Sequence, residues 1–275
     1  MPDANALIFY YRKGCSGMKN LKPLLTSAVI LSLTFCNSED AHATASTHIW
    51  APSTDTQAWG TGHITADVYI PAEKNADGSR ANAITNTGLT FGMLPFKKLT
   101  AEAGFDYKTG YGSLDTYPIY FNTKLAVPED AFKETFKYGE YLPAVAFGIY
   151  DVGTEAKKTT YNIIYGELAK TLSVKDFSFG RISVGYFWGN RDLLLDGDGE
   201  SDYHGILAAW ERTMTEISDK LWLCVEYQGS KSAYGTFNLG FSWQFTPSTS
   251  VLAGYQFYNN RDLADTATIQ VDINF

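Results

Sequence analysis

The densest run of carboxylates in the chain lies between Asp192 and Asp202, where Asp196-Gly197-Asp198-Gly199-Glu200 alternates acids with glycines. Calcium takes about six to eight oxygen ligands, and a tight acidic turn can present carboxylates and carbonyls together. Asp196, Asp198 and Glu200 are therefore candidate calcium ligands, although the segment lacks the full spacing of a calcium-binding loop. An acidic loop held only by solvent is the plainer alternative. The adjacent Ser201-Asp202-Tyr203-His204 is the one local grouping of a nucleophile, an acid and a base. Nucleophilic catalysis needs the base within hydrogen-bond reach of the nucleophile, whereas neighbouring residues on a strand point to opposite faces. The chain holds only four histidines, so it is read as having no catalytic residues and no cofactor. A further set of ionisable residues recurs on the polar faces of alternating segments: Asp67, Glu102, Asp106, Lys108, Lys124, Arg181, Glu211, Glu226 and Asp272. If those faces line a narrow aqueous interior, weakly screened carboxylates in excess favour cations.

The elements that must position these residues are strands. In Thr236 to Phe245, residues Phe237, Leu239, Phe241, Trp243 and Phe245 fall on one face and Thr236, Asn238, Gly240, Ser242 and Gln244 on the other. Side chains alternate across a strand, so one face is apolar and the other polar or small. The same period organises Leu99 to Lys108, Arg181 to Trp188 and Ala267 to Phe275. Read throughout, it predicts strands over 61–70, 83–94, 99–109, 118–127, 143–152, 160–170, 179–189, 203–212, 220–228, 234–245, 249–259 and 266–275. In 160–170 the adjacent Ile163 and Ile164 leave the facing open. Short joins alternate with longer, more charged ones, the pattern of turns on one side of a membrane and loops on the other. The exception is 128–142, a long join on the short-turn side, where Ala131, Phe132, Thr135 and Phe136 have the spacing of a brief amphipathic helix.

The 275 residues carry a net charge of −8, are 15% aromatic and only 19% charged. With no basic block, nucleic acid is excluded as a partner. No apolar run reaches the roughly 20 residues of a spanning helix, but barrel strands need only about 9–11. Lys19 and Lys22, the apolar run Leu24 to Phe35, and Ala41-His42-Ala43 form a basic region, an apolar core and a cleavage site in the order of a secretory signal peptide. Residues 1–43 are accordingly expected to be a signal-peptide region with its start at Met18 and cleavage after Ala43. A stretch over 44–60 is expected to be a short periplasmic tail. Cleavage would leave Cys224 as the one cysteine, so no intramolecular disulfide is expected.

The ending Thr268-Ile269-Gln270-Val271-Asp272-Ile273-Asn274-Phe275 resembles the C-terminal strand of bacterial outer-membrane β-barrel proteins, alternating and finishing on an aromatic residue. That resemblance implies that Phe275 is an assembly signal read by the barrel-assembly machinery, and that the protein is exported through the inner membrane to the outer membrane, where it meets lipid. Together the alternation and the resemblance predict an all-β protein, a closed antiparallel transmembrane β-barrel of about 12 strands over 61–275. The first functional expectation is a porin-like channel passing small polar, possibly cationic, solutes by diffusion. The alternative is a structural or surface-interaction barrel with a closed lumen and acidic ion-binding loops. A soluble two-sheet sandwich would also alternate, but Trp188, Trp243, Tyr227, Tyr255, Tyr186 and Tyr107 near strand ends suit the interfacial girdles of a membrane barrel. An outer-membrane hydrolase is disfavoured, because no histidine and serine arrangement matches the twelve-stranded phospholipases. On the alternation alone, an arginine at Leu239 is costly and one at Asn238 mild.

Overall fold

A computed structural model of the chain describes residues 46–74, 78–129, 131–175 and 177–275. Twelve strands make one closed barrel: β1 (Gly62–Pro71), β2 (Ile84–Gly92), β3 (Thr100–Thr109), β4 (Ile119–Val127), β5 (Ala144–Gly153), β6 (Thr160–Val174), β7 (Phe177–Trp188), β8 (His204–Thr213), β9 (Leu221–Gln228), β10 (Thr236–Thr246), β11 (Thr249–Tyr258) and β12 (Thr266–Asn274). Each pairs antiparallel with its sequence neighbours. The ring closes where β1 meets β12, with Thr65 opposite Asp272 and Asp67 opposite Gln270. Closure leaves no strand edge with open N–H and C=O groups, the condition for β-structure in hydrocarbon. No described helix is long and apolar enough to cross a membrane. The signal-peptide expectation for residues 1–43 lies outside the described residues.

The outward faces are apolar around the ring. Phe237, Leu239, Phe241, Trp243 and Phe245 on β10 are exposed, as are Ile182, Val184 and Trp188 on β7 and Ile269 and Ile273 on β12. Asn238, between two of these, is fully buried inside. A surface this apolar is stable only against lipid, because such a contiguous area facing water would drive association. Trp188, Trp243, Tyr227 and Tyr107 lie near strand ends on this outer surface, where amphipathic rings suit the membrane interface.

Two departures from strict alternation matter for the interior. Between β5 and β6 the register shifts from Tyr150 opposite Ile163 to Val152 opposite Thr160. Asp151 and Asn162 at that point take positive φ, 54° and 49°. This is a β-bulge, which adds a residue to the ladder and re-aims the side chains beyond it. It turns both Tyr150 and Asp151 inward, and it resolves the Ile163/Ile164 pair: Ile163 is 0% exposed and Ile164 55%. The second departure is chemical. Toward the loop end the interior is packed with Tyr120, Tyr161, Ile163, Tyr165, Phe187, Leu207 and Tyr234, joined by Leu194 from a loop. There the inside is aromatic and aliphatic instead of uniformly polar.

The Asn-Arg-Asp-Leu string occurs twice and folds the same way each time. Asn190 Oδ1 accepts from the Asp192 N–H and Asn260 Oδ1 from the Asp262 N–H. The Leu193 and Leu263 N–H groups donate to the Asn190 and Asn260 carbonyls. Asparagine side chains commonly close such turns on their own backbone. The 128–142 join is a run of turns ending in a short 3₁₀ turn over Gly139–Tyr141. Phe136 N–H to Phe132 carbonyl is its one bond of α-helical span among the described residues, so the expected amphipathic helix does not form.

An arginine replacing Leu239 is expected to destabilise the lipid-embedded barrel by on the order of 2–4 kcal/mol. Reversible denaturation in vesicles measures this, and a wild-type midpoint for Leu239→Arg would show that this face does not meet lipid.

Candidate functional site

The interior is organised around a segment that sequence reasoning places outside it. Of the stretch 44–60 expected as a tail outside the barrel, residues 46–57 instead turn back into the lumen. Thr47 bridges Pro52, and the His48 N–H donates to the Ala51 carbonyl at 2.9 Å. This makes a hairpin with Ile49 and Trp50 at its tip and both legs directed toward the turn end, where Thr61 joins β1. His48, Ile49 and Ala51 are almost completely buried. In a periplasmic tail water would satisfy the tip N–H groups but leave Ile49 and Trp50 exposed; inside the barrel the wall satisfies both.

The tip sits on the carboxylate of Glu226, on β9. Glu226 accepts from the N–H groups of Ile49 (3.0 Å), Trp50 (2.7 Å) and Ala51 (3.2 Å). Asn238 Nδ2 donates to the same Glu226 Oε1 at 2.5 Å. Successive backbone N–H groups converging on one anion form a strong, directional cradle. Gln270 Nε2 donates to the Ile49 carbonyl at 2.7 Å, and Ile49 packs against Cys224 and Leu252. Two inward glycines leave the slot for its side chain. A Cβ on Gly240 would lie 2.8 Å from Ile49 Cδ1, and one on Gly254 3.2 Å from Ile49 Cγ2. Trp50 meets Tyr69 edge-on at 5.4 Å and Tyr234 at 6.0 Å.

The hairpin legs occupy the charged residues nearer the turn end. Arg181 Nη1 donates to both Asp55 oxygens, at 2.9 and 2.7 Å, and its other Nη to Thr54. Lys124 Nζ is 3.2 Å from Glu102 and donates to the Asp55 carbonyl at 2.6 Å and to the Ser46 carbonyl. The Gln57 N–H donates to Glu102 Oε2 at 2.8 Å, while Gln57 Nε2 lies 3.1 Å from His63 Nδ1. His63 Nε2 in turn is 3.0 Å from Asp272. Glu211 accepts from Trp222 Nε1 at 2.9 Å and stands 3.6 Å from both His48 Nε2 and Arg181 Nη1.

A second network lies between the tip and the loop end. Asn86 Nδ2 donates to Asp67 and to Asp106, and Asn122 Nδ2 to the other Asp106 oxygen. Lys108 pairs with Asp151 at 2.5 Å, and the Tyr234 hydroxyl donates to the second Asp151 oxygen at 2.5 Å. Beside this pair a small cavity of about 30 Å³ is bounded by Trp50, Lys108, Tyr120, Asp151, Tyr161 and Tyr234. That space holds on the order of one or two waters.

The nine ionisable residues singled out in the sequence thus sit inside, and every one of them contacts a partner on the wall or the hairpin. Asp151 escaped sequence reading because strict alternation sends it outward; the bulge reverses it. Glu167, 3% exposed on β6, was missed because Ile163-Ile164 left that strand's facing open. His48, Asp55 and Gln57 carried no periodic signal at all. The loop candidates are not brought together. Asp196 Oδ1 accepts from the N–H groups of Asp198 (3.0 Å) and Glu200 (2.9 Å), closing its own turn, and no group of three metal-ligating side chains occurs among the described residues. Ser201 donates to the Arg191 carbonyl, Asp202 accepts from the Lys231 N–H, and His204 Nδ1 lies 2.7 Å from the Tyr186 hydroxyl on the outer face. Phe275 pairs through its backbone with Gly62 and sets its ring edge-on to Phe91 at 6.2 Å.

No protein-family model matches the sequence, and no curated protein matches it. Among solved structures, the chain is similar to the KdgM porin in complex with disordered oligogalacturonate, with a TM-score of 0.45 and 8% identity over 78% of this chain and 98% of that one. It is also similar to an outer-membrane channel from Pseudomonas putida F1 (TM-score 0.43, 11% identity, 82% and 100% covered). Outer-membrane phospholipase A from Escherichia coli gives a TM-score of 0.42 and 13% identity, with 77% and 92% covered. Channels and an enzyme resemble it equally, so the likeness carries no argument about activity. The closed ring and its apolar belt themselves define the class: this is a closed transmembrane β-barrel, its outer belt embedded in lipid.

Three variants test the seating of the hairpin. Glu226→Ala is expected to weaken docking by about 1.5–3 kcal/mol, the usual scale for hydrogen bonds to a charged group, and Gly240→Val to displace Ile49 sterically. Asn238→Arg, mild on the alternation alone, is now expected to dislodge the tip as well. Limited proteolysis in detergent should cut each variant within residues 46–60 faster than wild type while the barrel resists. Equal cutting rates would contradict the seating.

Proposed function

We propose that the protein is a narrow channel for small polar solutes, cations before anions, whose lumen the N-terminal hairpin closes in this conformation. The observation that carries this reading is the nature of the seal. The hairpin is held mainly by hydrogen bonds and ion pairs to a charged wall, so its withdrawal would leave a polar lumen that water can fill. Withdrawn from the lumen, the hairpin would uncover Glu102, Lys124, Glu167, Arg181, Glu211 and Glu226. Carboxylates outnumber cations in that set, and in a confined lumen with weak screening such a surplus attracts cations.

The reading includes export by the N-terminal leader and insertion by the barrel-assembly machinery through the Phe275-ended strand. It assigns no catalytic role: His204 stacks on Tyr186 at the barrel exterior, and the Ser201 hydroxyl donates to the Arg191 carbonyl. A second reading, a closed structural barrel, is favoured by the apolar packing of the loop half, where Tyr120, Tyr161, Tyr165, Phe187 and Tyr234 pack together beside the small cavity.

Planar-bilayer conductance in a salt gradient separates the two. The intact mature chain is expected to be nearly silent. Deletion of residues 46–57 should give stable cation-selective steps, with selectivity reduced by adding Asp106→Asn. A deletion variant that is folded, heat-resistant and silent would leave the structural reading in place and overturn the channel.

A further inference from the structure

His48 is the one histidine of the hairpin, and it is only 1% exposed. Its backbone closes the turn on Ala51, but neither ring nitrogen has a hydrogen-bond partner among the described residues. What surrounds the ring is charge. Glu211 on β8 stands 3.6 Å from Nε2. Glu226 on β9 binds the N–H of the next residue, Ile49, and Glu167 on β6 is buried with its Oε2 also lacking a hydrogen-bond donor. The other groups turned toward this patch are Arg181 on β7, opposite Glu211 in the ladder and 3.6 Å from its carboxylate, and the Cys224 thiol on β9, in the cluster of Ile49. Lys124 on β4, paired with Glu102 on β3, reaches the hairpin at the Ser46 and Asp55 carbonyls.

Compensation around this ring is therefore Coulombic. A neutral imidazole has one donor, one acceptor and no charge. It would lie buried with both unmet beside three carboxylates, while Arg181 is already committed to Asp55. The imidazolium balances the same carboxylates through space. Burial by itself would lower the affinity of the ring for its proton, yet Glu211, and with it Glu167 and Glu226, outweigh burial and lift the His48 pKa to about 9. On a withdrawn hairpin the ring meets water and returns toward the ordinary 6.5. A shift of this sign favours the seated state in full below 6.5, and the contribution is lost as pH rises through about 9.

We propose that His48 is a proton-operated latch: its imidazolium holds the hairpin against Glu167, Glu211 and Glu226, and removal of that proton in alkaline medium lets the hairpin leave the lumen. The ligand of this site is the proton itself. The effect of the latch on conduction rests on the channel reading above, whereas its effect on seating does not. His63, the second histidine in contact with the hairpin, lies 3.1 Å from Gln57 Nε2 and 3.0 Å from Asp272. It pairs with no carboxylate of the His48 patch and serves as the internal control.

The test cuts the full mature chain with subtilisin in detergent between pH 6 and 10, dividing each rate by that of a free peptide of residues 46–60 at the same pH. Where opening and closing outpace cleavage, this ratio follows the population of the withdrawn state. The wild-type ratio is expected to climb by up to about tenfold per pH unit, on the order of a hundredfold in all, and then to level off. His48→Gln should remove the climb. Glu211→Gln should level off at a lower pH after a smaller climb, a displacement that loss of packing alone does not produce, and His63→Gln should keep the wild-type profile. A flat wild-type profile, a wild-type climb in His48→Gln, or its loss in His63→Gln would each overturn the latch. Bilayer recordings at the alkaline end test the other reading separately: cation-selective steps appearing with release join the latch to a channel, and release without conductance overturns the channel while the latch stands.

Discussion

A charged group inside a barrel this narrow must have a partner, and the carboxylate of Glu226 finds it in three consecutive backbone N–H groups of another segment of the chain. Removing a carboxylate from water without compensation costs far more than any one contact returns. The N-terminal hairpin supplies that compensation and receives it in turn, because its own tip N–H groups would otherwise be buried unpaired. The same reciprocity holds along its legs, where Arg181 closes on Asp55 and Lys124 on two hairpin carbonyls. Glycines at 240 and 254 keep the wall flat where Ile49 must pass. Wall and hairpin are therefore one structure, and the lumen cannot be described without both.

The ring of strands was legible because lipid outside and polar groups inside impose a two-residue period that no soluble helix would carry. β10 shows this residue by residue, from Phe237 outward and Asn238 inward to Phe245. What alternation could not reveal was anything that breaks it or lies outside it. The bulge at Asp151 and Asn162 leaves no composition signal, so one lumen carboxylate, Asp151, is absent from the set that alternation picks out. The hairpin is a single irregular excursion with no repeat, and its anchors on the wall are separated from it by up to 221 residues. The inward glycines Gly240 and Gly254 were visible, but only as small residues on a polar face; their purpose appears once Ile49 is in place.

The two halves of the lumen are built on different principles. Toward the turn end, the interior is polar and its closure depends on a segment that runs directly into β1 through residues 58–61. Toward the loop end, closure comes from tyrosines and aliphatic side chains fixed on several strands. The Lys108–Asp151–Tyr234 contact lies where these two regions meet Trp50 of the hairpin tip. Movement of the hairpin would therefore remove one wall of the small cavity beside that contact and loosen the packing on its loop side. This couples the polar seal to the aromatic one in a single chain of contacts.

The central claim is that residues 46–57 occupy the lumen with Ile49 against Cys224. Crosslinking of Ile49→Cys to the native Cys224, in the membrane-inserted protein and with a short bifunctional thiol reagent, tests it most directly. The account predicts rapid intramolecular crosslinking at this position and little with Trp59→Cys, which sits exposed at the rim. Failure of Ile49→Cys to crosslink in the folded barrel, or equal crosslinking from both positions, would contradict it.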